Sequence, residues 1–152
     1  MAGRGALLNY TTSIAVERTI GEIQAMLARA GAKSILTEYS EGETTAISFL
    51  IATRFGDRGF KLPANVEAVE RVLWRQYERG KVQRRFTSRD QAARVAWRII
   101  KDWLEAQLAI IETEMVSFEQ VMLPYLTEGG RTLYELMERR HLALPPGKES
   151  AD

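Results

Sequence analysis

Residues 33–62, KSILTEYSEGETTAISFLIATRFGDRGFKL, contain the pattern that decides the fold. Apolar and polar side chains alternate through this stretch, and the turn-forming sequences SEGE and GDRG interrupt the alternation. A period of two predicts strands, and short polar turns predict hairpins between neighbouring strands. The stretch therefore predicts a three-stranded antiparallel meander over 33–39, 44–55 and 60–62, with one face on a core.

Helical periodicity flanks this meander on both sides. Apolar residues at every third or fourth position predict a first helix over 13–30 and a second helix over 63–80. Because three strands with one apolar face need a cover, the helices are expected to supply it. The predicted organisation is a single α+β domain over 13–142, between a flexible N-terminus at 1–12 and a disordered tail at 143–152.

The third predicted helix is long and apolar on two sides. Ser88 and Gln91 match a capping box that starts this helix, and the helical pattern continues to about Met115. Two further capping boxes predict short C-terminal helices near 118–123 and 132–141. One apolar stripe suffices to cover a sheet, so the second stripe predicts either a central position within the monomer or an interface in a homo-oligomer. The expected interface residues are Trp97, Ile100, Leu104 and Leu108.

The composition excludes several classes of protein. The 152 residues are enough for one domain with one core, and 21 basic against 20 acidic residues leave a net charge of +1, which excludes a histone-like basic chain. Cysteine is absent and histidine occurs once, as His141, so disulfides, thiolate chemistry and His-rich metal sites are excluded. A run of about 18 apolar residues, which a transmembrane helix needs, does not occur. Because the first residues also lack a signal-peptide pattern, we expect a soluble protein in the cytoplasm.

The small net charge hides a strong asymmetry along the chain. Residues 71–101 contain ten basic and two acidic residues, a net charge of +8, whereas residues 102–138 contain one basic and eight acidic residues, a net charge of −7. The basic residues concentrate where the second helix connects to the third, and arginine, which suits bidentate phosphate contacts, outnumbers lysine there. We call this set the basic corner. It consists of Arg71, Arg75, Arg79, Lys81, Arg84, Arg85 and Arg89.

The basic corner predicts a site for phosphate groups or nucleic acid, and Trp74, Tyr77 and Phe86 are interleaved with it as a surface for stacking. The alternative is a solvated helix face, or a face that pairs with the acidic half of the chain. No phosphate-binding loop, dinucleotide-binding motif, metalloprotease motif or hydrolase motif occurs. The sequence therefore predicts a non-enzymatic protein with no catalytic residue, no metal and no cofactor.

Several stretches resemble a group of small proteins found in bacteriophage and prophage genomes. These stretches are KSILTEY at 33–39, KLPANVEAV at 61–69, QAARVAWRIIKDWLEAQL at 91–108, LPYL at 123–126 and TLYE at 132–135. The resemblance covers about residues 10–138 and carries over no catalytic residue. It implies a phage-encoded protein that acts in the cytoplasm of a bacterial host.

Three functions remain open for such a protein. The first is an accessory protein that binds nucleic acid through the basic corner. The second is a counter-defence protein that sequesters a phosphorylated nucleotide signal in an oligomeric pocket lined by some of the same arginines. The third is an inhibitor that docks on a host defence protein through the acidic half of the chain.

Overall fold

A computed structural model of the chain describes residues 5–147. These residues form five α-helices, a three-stranded antiparallel sheet and a two-stranded sheet, which confirms the predicted α+β class. The elements are α1 (Val16–Arg29), β1 (Ala32–Ser40), β2 (Glu43–Thr53), β3 (Gly56–Pro63), α2 (Val66–Glu78), α3 (Arg89–Glu112), α4 (Phe118–Met122), β4 (Thr127–Glu128), β5 (Arg131–Thr132) and α5 (Leu133–Arg139). The outermost parts of the predicted flexible ends, residues 1–4 and 148–152, lie outside the described residues.

The larger sheet is a meander with strand order β1-β2-β3. Phe49 in the central strand lies opposite Ile35 of β1 and Phe60 of β3. Ile47, Phe49 and Ile51 are buried at alternate positions of β2. The predicted period of two and the core-facing side of the central strand are therefore confirmed.

The second hairpin turns earlier than the sequence predicts. The predicted strand runs through Phe55 to a turn at 56–59, but Thr53 already pairs with Gly56 across the hairpin. Gly56 has a φ of 95°, which glycine adopts without a steric penalty, and the Thr53 hydroxyl donates to the Gly56 carbonyl at 2.7 Å. The turn therefore falls at residues 54–55, and Phe55 is 61% exposed instead of lying on the core face.

The core lies between the sheet and the helices α1 and α3. Buried side chains from all three elements form one cluster, and α4 closes it with Met122. The fully buried members of this cluster include Ile23, Leu27, Ile47, Trp97 and Leu104. Burial of such side chains stabilises the fold by about 1.5–3 kcal/mol each, so these contacts dominate the free energy of folding.

The apolar residues of α3 are buried against two different parts of the same chain. Trp97 and Leu104 are 0% exposed in the core, whereas Ala92 and Ala96 pack against α2 in a second apolar cluster. A side chain with no exposed surface cannot contact another subunit, so the interface expected at Trp97 and Leu104 is corrected to monomer core. Ile100 and Leu108 of the same stripe are partly buried and pack against this core.

The chain before α1 is bound to the helices. The sequence predicts flexibility over 1–12, yet the Gln91 side-chain amide of α3 donates to the backbone carbonyls of Tyr10 at 2.8 Å and Thr12 at 2.9 Å. The Tyr10 ring also contacts the Phe86 ring edge-on, with centroids 5.3 Å apart. These contacts place Tyr10 beside the connection between α2 and α3.

Candidate functional site: the basic corner

The basic corner comprises one face of α2, the connection that follows it and the first residue of α3. Arg71 and Arg75 lie four residues apart on α2, so their side chains share a helix face. Arg84 and Arg85 lie in a short 3₁₀ helix. The connection is anchored beneath these arginines by the buried Val82 and by Thr87, whose hydroxyl donates to the Arg84 carbonyl at 2.6 Å.

Arg89 is engaged by carboxylates of the same chain. Its guanidinium donates to both Glu43 oxygens, at 2.9 and 2.8 Å, and lies 3.8 Å from Glu70. The pKa of Arg89 is raised above its ordinary value, chiefly by the hydrogen bonds to Glu43. Arg71 also has a partner, since Glu67 lies 3.4 Å away one helical turn earlier. These two residues of the predicted site therefore have their charges compensated within the chain.

The remaining four arginines of the basic corner are exposed and uncompensated. Arg75, Arg79, Arg84 and Arg85 form no ion pair with any carboxylate of residues 5–147. The Arg85 guanidinium lies 4.6 Å from the centre of the Phe86 ring, a cation–π contact that orients it. The structure thus leaves four of the seven predicted residues with charge available to an outside anion, and Lys81 is exposed on the same connection.

The basic residues further along α3 do not extend this surface. Arg94 donates twice to the Gln91 side-chain oxygen, Arg98 binds Glu22 of α1 and Lys101 binds Glu105. The Arg98 and Lys101 side chains are mostly buried. The charges of Arg98 and Lys101 are therefore compensated by carboxylates of the same chain, whereas Arg94 is bound by an uncharged amide.

Two hollows open on this surface, each with an aromatic ring and a cation. The first has a volume of about 330 Å³ and is lined by Glu70, Arg71, Trp74 and Arg75. The second has a volume of about 370 Å³, and its lining includes Tyr10, Thr11, Lys81, Arg85 and Phe86. The sequence pattern gives no signal for Tyr10 and Thr11, because only the folded chain brings them to a connection about 70 residues away.

Metal chemistry has no candidate centre in the described part of the chain. Among residues 5–147 no group of three or more His, Asp or Glu side chains is placed to hold a metal ion. The chemistry of the basic corner is therefore that of guanidinium and aromatic groups, which bind anions and planar rings.

Within residues 5–147, no helix combines the length and the apolar character that a bilayer crossing requires.

Comparisons of the chain with protein-family models, with curated proteins and with solved structures found no match. The functional conclusion therefore rests on the geometry of the basic corner.

Proposed function

We propose that the protein binds nucleic acid without modifying it, through phosphate contacts made by Arg75, Arg79, Arg84 and Arg85. The observation that carries this proposal is the set of four exposed guanidinium groups without a carboxylate partner among the described residues. A guanidinium donates two parallel hydrogen bonds to phosphate oxygens, and it stays charged at every physiological pH. Together with the resemblance to phage proteins, this supports a phage accessory protein that acts in the bacterial cytoplasm.

The contrast within the basic corner sharpens this proposal. Arg71 and Arg89 already hold carboxylates, so a phosphate would have to displace Glu67 or Glu43 to reach them. Displacement leaves a carboxylate beside the incoming phosphate, and like charges repel. The four uncompensated arginines bind phosphate without this penalty, and they define the expected number of contacts.

The test is the salt dependence of binding. Each phosphate contact releases condensed counterions, so four contacts give a slope of log K against log[salt] of about −3.6 on duplex or about −2.8 on single strands. Arg84→Ala with Arg85→Ala removes two contacts and should flatten that slope by about 1.8 or 1.4, respectively. The loss of affinity should be the same for all base sequences, because the phosphates are identical along a nucleic acid.

A matched control removes the same charge elsewhere. Arg139→Ala with Arg140→Ala also deletes two adjacent arginines, at the end of α5 and outside the basic corner. We expect this variant to keep the wild-type slope. An equal loss in both double variants would show unspecific attraction to net charge. Failure of the wild type to retain any DNA or RNA at about 50 mM salt would refute nucleic-acid binding altogether.

The second hollow favours one other candidate function, sequestration of a small phosphorylated nucleotide in a counter-defence role. Its volume of about 370 Å³ lies within the range of small-molecule sites, and its lining supplies the Phe86 ring for a base and Arg85 for a phosphate. A ligand that binds only the folded chain stabilises it by about 2.7 kcal/mol at a hundredfold excess over Kd. A melting shift with mononucleotides, in the absence of any retention of polymers, would favour this candidate over nucleic-acid binding.

A further inference from the structure

Trp74 is a large aromatic side chain left open to solvent within the basic corner. It is 40% exposed, whereas Trp97 is fully buried and Trp103 packs against the core. The Tyr77 ring contacts it edge-on, with centroids 5.7 Å apart at an interplanar angle of 80°, and so supports the indole from one side. The indole therefore presents apolar surface to solvent where the neighbouring side chains are charged.

The charges around Trp74 indicate where an uncharged ring would bind and where a phosphate would bind. Arg71, Arg75 and Glu70 line the same hollow as the indole, and the Glu70 carboxylate is held there by Arg89 at 3.8 Å. A phosphate that entered this hollow would be attracted by the two arginines but repelled by the carboxylate, whereas an uncharged planar ring escapes this repulsion and can stack on the indole. Outside the hollow, Arg79, Arg84 and Arg85 offer phosphate contacts without a carboxylate partner among the described residues.

We propose that the basic corner binds single-stranded nucleic acid, with one base stacked on Trp74 and the adjacent phosphates on the uncompensated arginines. This inference rests on the proposed function and adds the form of the nucleic acid. In a duplex each base is already stacked between its neighbours, so its face is closed to an indole. In a single strand the bases are free to rotate outward, and stacking on an aromatic side chain is tolerant of base identity.

The experiment compares the affinities of single-stranded and duplex oligonucleotides of equal length for the wild type and two Trp74 variants. Trp74→Ala should lower the affinity for the single strand by about fivefold to a hundredfold and change the affinity for the duplex by less than about twofold. Trp74→Phe should restore most of the affinity, because phenylalanine keeps an aromatic face. The salt slope of Trp74→Ala should equal that of the wild type, since no phosphate contact is removed.

Tyr134→Ala is the matched control, because Tyr134 is another exposed aromatic side chain, placed on α5 outside the basic corner. We expect its affinities to be unchanged. If Trp74→Ala lowers both affinities equally or neither, while Arg84→Ala with Arg85→Ala still flattens the salt slope, the single-strand inference is overturned and nucleic-acid binding stands. If the wild type retains neither form at low salt, both proposals fall together.

Discussion

Replacement of Trp97 and Leu104 by glutamate should abolish folding of this protein. Both side chains are 0% exposed and belong to the cluster that joins α1, α3 and the sheet. The Trp97 ring nitrogen also donates to the Thr44 backbone carbonyl at 3.3 Å, so the indole links α3 to the start of β2. The double substitution removes this link and places two carboxylates where no water reaches them.

The loss of folding free energy is already large when only the removal of the two buried side chains is counted. Loss of a buried tryptophan side chain costs about 3–5 kcal/mol, and loss of a buried leucine costs about 2–5 kcal/mol. The two together approach or exceed the whole stability of a domain of this size, which is about 5–15 kcal/mol. Burial of two carboxylates without partners adds several kcal/mol more. We therefore expect an unfolded chain under conditions in which the wild type is folded.

Far-ultraviolet circular dichroism and urea unfolding of the double variant provide the measurement. The matched control is Leu8→Glu with Leu36→Glu, the same introduction of two carboxylates at exposed positions, which should fold normally. A folded, monomeric Trp97→Glu, Leu104→Glu variant would contradict the reasoning. It would mean that neither side chain is needed in the monomer core, against what their complete burial implies.

Two further perturbations test how distant segments are joined. Gln91→Ala removes the hydrogen-bond donor to the Tyr10 and Thr12 carbonyls, so we expect the free energy of unfolding to fall by about 1–3 kcal/mol and amide exchange near both residues to become faster. Gln83→Ala, a change of the same kind at an exposed position, should leave both quantities unchanged. The pKa of Glu119 lies below its ordinary value because its own backbone N–H, and then that of Arg54, donates to the carboxylate. Because this pKa is lowered, ionised Glu119 stabilises the fold above about pH 4.5, and the stabilisation is lost as the pH falls through the folded-state pKa. The difference in urea midpoint between the wild type and Glu119→Gln should therefore shrink on acidification.

Local pattern predicted most of the secondary structure of this chain. Strands and helices follow from side-chain periodicity and from turn and capping residues, which act over a few positions. Ser117 and Gln120, for example, form the capping box that their spacing predicts. The position of the second turn was less well predicted, because a two-residue loop beginning after Thr53 competes with the glycine-rich GDRG sequence that follows.

Only the tertiary structure decided which distant residues form hydrogen bonds and ion pairs with each other. Gln91 matches the final position of a capping box, but its side chain instead binds the segment before α1, about 80 residues away. Arg84 and Arg89 look alike in the sequence, yet Arg89 meets Glu43 from the sheet and Arg84 forms no ion pair with the described carboxylates. Charge and periodicity are properties of neighbouring positions, whereas compensation of a charge or burial of an apolar face depends on which surfaces the fold brings together. The sequence by itself therefore determined the elements and the region of positive charge, and the tertiary structure decided which arginines remain available and that Trp97 belongs to the core.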